Sequence, residues 1–291
     1  MLIFFADGRL GNQIFQYVFL QTIKNKNELV ISSGFEELKD IFEIDNINNI
    51  NKKNRYFRTV TYRILKPLLN YFSEKGLISS ISVDYEVILK KYRRETVSYT
   101  ETKGIFRFLT FVKEGFFQSE VFFNKSVAQN LYIKEKHLLS ANVFLDKIPK
   151  DKHKVFVHIR RGDYKFFKIY GKSTLLPISF FKNKIEWFLK NRKNCFFVFL
   201  SDDPELIERE FNYISNKSIS SGNDYGTDFS IMTKCHSSIL SPSSFGWWGS
   251  YLLKNRDVVF APKYWLGFNS KIEFQSRCIA NFMETVEVDC D

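Results

Sequence analysis

Two arginines stand side by side at the end of an apolar run, in Val157-His158-Ile159-Arg160-Arg161-Gly162-Asp163-Tyr164. A guanidinium keeps its charge at any working pH and can give two parallel hydrogen bonds to a phosphate, a geometry that lysine lacks. Neighbouring residues on a strand point to opposite faces, so one arginine is expected to reach a ligand while the other holds the loop by pairing with Asp163. The plainer alternative makes both of them surface ion pairs, worth under about 1 kcal/mol each. Their position at the end of a wholly apolar strand favours anion binding. Further along, Ser243-Ser244-Phe245-Gly246-Trp247-Trp248-Gly249 follows a second apolar run and precedes a helix start. Open backbone N–H groups and the helix dipole favour a phosphate at such a point. The two segments together describe a pocket for a doubly charged phosphate leaving group.

Other chemistry-bearing residues carry weaker signals. In Ser201-Asp202-Asp203-Pro204, Asp203 is placed to cap a helix whose first residue is proline. The same carboxylate could read the donor edge of a guanine, and both roles stay open. Trp247 and Trp248 serve equally well as core or as a sugar platform. Gly8-x-x-Gly11 is common in tight strand–helix turns. His137, His153, His158 and His236 lack metal-ligand spacing, and Asp289-Cys290-Asp291 lies at the extreme C-terminus, so no metal is expected. No nucleophile elbow, Walker loop or dinucleotide fingerprint is present.

These residues need strands that end together. Leu2 to Ala6 reads as a buried strand, Asp7 to Gly11 as a turn, and the residues from Asn12 as a helix with Ile14, Phe15, Val18, Phe19 and Ile23 on one face. Glu28 to Ser32 completes a βαβ unit. A boundary is expected near Asp146 to Lys152, giving domains 1–150 and 151–291. Beyond it, strands at Val155 to Ile159, Cys195 to Leu200, Ser238 to Leu240 and Asp257 to Ala261 alternate with helices at Pro177 to Lys190, Pro204 to Phe211 and Phe245 to Leu253. Continuous apolar strands alternating with amphipathic helices predict an α/β fold with parallel sheets, in two Rossmann-like halves. In such sheets ligands bind beyond the carboxyl ends of the strands, where the candidate segments fall.

Composition bounds the partners. A chain of 291 residues with 44% hydrophobic and 26% charged content is ordinary for a globular protein, although 32 phenylalanines are many. The net charge of +11 favours an anionic partner, whether nucleic acid, nucleotide-linked substrate or acidic membrane surface. Between Asn48 and Ser73, six basic residues (Lys52, Lys53, Arg55, Arg58, Arg63, Lys66) and several aromatics occur without an acidic one. That stretch reads as a solvated helix face, or as a surface for anionic lipid or an acidic acceptor. Four scattered cysteines, Cys195, Cys235, Cys278 and Cys290, suit reduced thiols. No signal segment or roughly 18-residue apolar span is apparent, so a cytoplasmic location is expected.

Read residue by residue, the chain resembles the α-1,2-fucosyltransferase family, inverting enzymes that use GDP-fucose. The likeness rests on Gly8 to Tyr17 (GRLGNQIFQY), Gly115 to Glu120 (GFFQSE), His158 to Tyr164 (HIRRGDY), and Asp228 through Tyr251 with its Ser-Ser-Phe-x-Trp-Trp-Gly run. Ala261-Pro262-Lys263-x-Trp265 adds a weaker block. Asp7, Pro242, Gly246 and Tyr251 depart from the usual glycine, asparagine, serine and tryptophan. The resemblance implies a GT-B-like fold of two Rossmann-like domains facing a central cleft, with the nucleotide sugar held mainly by the C-terminal half. It implies Arg160 and Arg161 at the diphosphate, His158 and Asp203 near guanine, and Ser243, Ser244 and Phe245 along the phosphates. Gly11, Gln13 and Gln118 fall in the acceptor or cleft blocks. Arg160, Asp163 and Asn12 are the expected catalytic residues, with Asn12 orienting the sugars and Asp163 or Asp7 as candidate base. GDP-fucose is then the donor substrate, with no separate cofactor and no nucleic acid partner. The acceptor is a galactose-containing oligosaccharide. A lipid-linked acceptor at the inner face of an anionic membrane would suit the basic stretch. The rival expectation is a basic protein that binds nucleic acid or acidic glycan without catalysis; a third keeps the enzyme and changes the sugar or linkage.

Overall fold

The computed structural model describes residues 1–50 and 59–289. Lys52, Lys53, Arg55, Tyr56, Phe57 and Arg58 of the basic stretch lie outside the described residues, as do Cys290 and Asp291. The chain forms two compact units, Met1–Tyr132 with Gln275–Cys278, and Ile133–Phe274 with Ile279–Asp291. The boundary expected at 146–152 thus sits inside the second unit. The reason is local: the helix Glu135–Leu145 packs on the helix Tyr225–Thr233, where His137 lies 3.2 Å from Asp224.

In the first unit, β1 (Leu2–Phe5), β2 (Val30–Ser33), β3 (Asn48–Ile50), β4 (Ile78–Ile88), β5 (Tyr92–Thr102) and β6 (Phe106–Val112) form one sheet in the order β3-β2-β1-β6-β4-β5. All neighbours are parallel except the β4–β5 hairpin. The expected βαβ unit is present: β1 leads into the helix Leu10–Ile23, whose Ile14, Phe15, Val18 and Phe19 are fully buried. A π-helical turn, Thr61–Leu65, runs into the helix Lys66–Glu74. Turn and helix together lay Leu65, Leu69 and Phe72 on Phe5, Ile78 and Phe111 of the sheet, leaving Ile64, Leu68 and Tyr71 exposed.

The second unit carries β7 (His153–Ile159), the short antiparallel pair β8 (Lys168–Ile169) and β9 (Lys172–Ser173), β10 (Cys195–Ser201), β11 (Lys217–Ser220), β12 (Ser237–Leu240), β13 (Val259–Pro262) and β14 (Glu284–Val286). Apart from that pair they form a parallel sheet in the order β11-β10-β7-β12-β13-β14. Val155, Phe156, Val157 and Ile159 of β7 and Phe197, Val198 and Phe199 of β10 are fully buried, which is why these strands read as uninterrupted apolar runs. The helix Ile178–Asn191 covers one face through Phe181, Ile185 and Phe188. Because β7 is central, with β10 and β12 on either side, the segments after all three strands emerge side by side.

Candidate active site

Arg160 follows the last residue of β7. Its backbone N–H donates to the Ser241 hydroxyl at 2.9 Å, tying the end of β7 to that of β12. Its Nε donates to Asp163 at 2.9 Å and lies 3.4 Å from Asp202. Partial burial pulls its pKa down, but the two carboxylates outweigh that and raise it, so the charge is fixed. With Nε engaged, the terminal NH2 groups are the ones placed to meet an anion.

Arg161 turns the other way. Its Nη1 donates to the Leu176 carbonyl at 3.1 Å, while its Nε is buried with no partner. The alternation expected of a strand end holds. The ion pair and the loop anchor expected of one arginine are, however, divided between the two: Asp163 pairs with Arg160, while Arg161 fastens the loop through a carbonyl.

Asp202 organises the loop. Its two oxygens accept from the backbone N–H groups of Arg161 (2.8 Å) and Gly162 (3.0 Å). This residue was missed from sequence; the available signal was a second carboxylate beside a helix cap at a strand end. Asp203 is the cap itself, accepting from the Leu206 N–H at 3.2 Å, with its other oxygen 3.5 Å from Lys165. Tyr164 is half-buried and donates to the Pro242 carbonyl at 2.8 Å; burial of its hydroxyl raises its pKa. Ser241 and Pro242 therefore both anchor the arginine loop, a further role not foreseen.

The helix Ser244–Tyr251 begins beside that loop. Ser243 occupies the N-cap position and its side chain makes no capping bond, so the cap does not compete with an anion drawn to the positive end of the helix dipole. Trp247 and Trp248 are fully buried and belong to the core, not to a sugar platform. His158 lies beneath this helix, 6% exposed, with Nδ1 buried and unpartnered. Burial, with Arg160 nearby, lowers its pKa to about 3, so the ring is neutral under working conditions. A Cβ at Gly246 would sit 2.9 Å from that Nδ1, so glycine lets the helix close down on the ring.

The remaining candidates lie in the first unit and form their own group. Gly8 adopts φ +81°, and a Cβ there would run into the Asn12 side chain. Asn12 Oδ1 accepts from Gln118 Nε2 at 2.7 Å, and Gln16 Nε2 donates to the Gly115 carbonyl at 3.1 Å. Two blocks about a hundred residues apart thus meet. Gln13 is buried, donating to the Gly8 carbonyl and accepting from the Leu38 N–H, so it fixes the turn rather than presenting an amide to a sugar. Gly11 is buried as well. Among the described residues no cluster of three His, Cys, Asp or Glu could hold a metal ion, and no helix is long and apolar enough to cross a membrane.

The α/β, GT-B-like fold is shared with the crystal structure of POFUT1 in complex with GDP-fucose, at TM-score 0.54 over 89% of this chain and 96% of that one, with 10% identity. A second POFUT1 structure, with GDP, aligns at TM-score 0.52 and 12% identity over the same shares. That likeness defines the class of fold. Glycosyl transferase family 11 matches residues 3–283, and the chain belongs to that family. An α-1,2-colitosyltransferase of Escherichia coli is 28% identical over 280 residues, covering 89% of this chain and 90% of that protein. The O-antigen biosynthesis glycosyltransferase WbnK of Escherichia coli is 24% identical over 91% and 95% of the two chains. Galactoside 2-alpha-L-fucosyltransferase SEC1 of Bos taurus is 28% identical over 112 residues, 37% of this chain and 30% of that one.

Proposed function

We propose that this family 11 glycosyltransferase moves fucose from GDP-fucose to the 2-hydroxyl of a galactose-type acceptor, with inversion and without a metal, in surface polysaccharide synthesis. The observation that carries the reading is Arg160, held by Asp163 and Asp202 at the end of β7 beside the start of the helix Ser244–Tyr251. As the bond between the anomeric carbon and the diphosphate oxygen breaks, its electron pair stays on that oxygen. The guanidinium and the positive end of the Ser244–Tyr251 helix dipole stabilise the charge that develops there, on the order of several kcal/mol, since they need no reorganisation. The acceptor oxygen attacks the opposite face of the oxocarbenium-like sugar, and its proton leaves to base or solvent. Asp163 is occupied by Arg160, so its part is to orient the arginine, and a diphosphate leaving group makes small demands on a base. His158 and Asp203 are assigned to the guanine side, and Asn12, braced by Gln118, to the sugars.

A panel of nucleotide sugars incubated with acceptor and EDTA tests this, with linkage and anomeric configuration read by NMR. Turnover of GDP-fucose to an α-1,2 product in EDTA is expected; turnover confined to a UDP-sugar, or abolished by EDTA, would overturn it. The colitosyltransferase likeness, over most of both chains, favours one second reading, transfer of colitose, the 3-deoxy counterpart of fucose. Faster turnover of activated colitose than of GDP-fucose would decide for it.

A further inference from the structure

A cavity of 390 Å³ in the first unit is lined by three cations, Lys66, Arg93 and Lys113, against a single carboxylate, Glu114. Lys66 Nζ is already paired with Glu114 at 2.9 Å. Arg93 and Lys113 have no carboxylate partner among the described residues. Arg93 instead lies 4.1 Å above the Tyr85 ring, placed there by the β4–β5 register, in which Tyr85 faces Glu95 and Arg93 is its diagonal neighbour. Lys113, the residue after β6, is partly buried. Two unmatched positive charges therefore converge on one concavity with an apolar floor, Val83 and Phe111, both buried. Low-dielectric walls focus such a field and concentrate an anion there. Asn70 and Ser82 add amide and hydroxyl groups to the same lining, and the volume falls in the range of small-molecule sites, about 300–1,000 Å³.

We propose that this cavity, lined wholly by residues of the first unit, binds a single sugar residue bearing a carboxylate or a phosphate. The guanidinium and ammonium hold the anion, Asn70 and Ser82 meet hydroxyls, and the buried Val83 and Phe111 beneath them keep the local dielectric low. That the anion rides on a sugar rests on the glycosyl-transfer reading; the charge pattern does not.

Methyl glucuronide, glucose 6-phosphate and neutral methyl glucoside, titrated by NMR into the full chain and into an Arg93→Ala/Lys113→Ala double variant, test the idea. At least one anionic sugar is expected to bind about tenfold or more tighter than methyl glucoside, and the double variant to lose that preference. Which anion binds tells a uronate from a sugar phosphate. GDP titrated into the same samples should bind both proteins alike, which shows the variant folded; a Lys113→Glu variant, which reverses one charge, serves if it does not. Equal binding of all three sugars, or an unchanged preference in the variants, would overturn the proposal. Anionic-sugar binding by a protein that fails to bind GDP would sink the donor assignment and leave this site standing.

Discussion

A guanidinium is useful at a bond-breaking step only if it is already aimed, and here two carboxylates do the aiming. Asp202 matters more than its neighbour for that purpose, since it holds the backbone under Arg160 and Arg161 and also lies near the Arg160 Nε. Asp202→Ala is expected to lower kcat/KM for GDP-fucose by about 10- to 100-fold, because a loosened clamp forfeits positioning; steady-state rates check it. Arg161→Ala should show itself in stability, with a loss of about 1–2 kcal/mol in urea melts, since its hydrogen bond closes the loop onto Leu176. Asp228 gives a pH signature. Burial raises its carboxyl to about 6, despite the hydroxyl of Ser220 donating to it. A raised carboxyl pKa leaves the fold unpenalised below the unfolded value near 4 and costs it progressively as pH climbs through 6. Asp228→Asn should therefore raise stability by about 2 kcal/mol at pH 8, with the gain vanishing by pH 4; urea melts at both values check it. Arg160 and Asp203 were legible because each sits in a local pattern, a strand end or a cap. Asp202 was not, because its partners lie 40 and 41 residues away in the loop that follows β7.

The helix Ser244–Tyr251 and the ring beneath it form one packed device. Where the resembling family usually carries serine, this chain has Gly246, and the His158 Nδ1 facing it has no partner. Gly246→Ala should press a methyl onto a ring that cannot swing away and cost about 1–3 kcal/mol. Gly246→Ser should cost less, since its hydroxyl can satisfy the orphaned nitrogen; thermal melts of the two variants give the comparison, and a serine variant no better than the alanine one would count against this packing. Elsewhere, legibility followed burial. β7 and β10, covered on both faces, announced themselves as apolar runs, and so did β1. The β4–β5 hairpin did not, because much of β5 and the distal half of β4 are solvated and rich in Ser, Thr and charge, so neither a continuous run nor a clean alternation is left to read. The cationic cavity went unseen with it, as its charges come from three separate elements.

Each unit repeats the same logic, a mainly parallel sheet with chemistry-bearing segments following its strands, and this repetition is what made the α/β class readable. The division after Tyr132 was less so, because the helix Glu135–Leu145 is assigned by its packing against residues far along the chain. Its charge also makes a claim about surroundings: +11 overall, with Arg63 exposed beside Ile64, Leu68 and Tyr71. Sedimentation with anionic vesicles at low salt is expected to carry the protein down and at high salt to release it, whereas neutral vesicles should leave it in the supernatant. The claim on which the rest turns is that Arg160 neutralises a nucleotide diphosphate. Calorimetric titration of GDP into the wild type and into Arg160→Ala, with EDTA present, bears on it most directly. The account predicts saturable binding to the wild type and an affinity weaker by about a hundredfold in the variant; equal affinity for both proteins would contradict it.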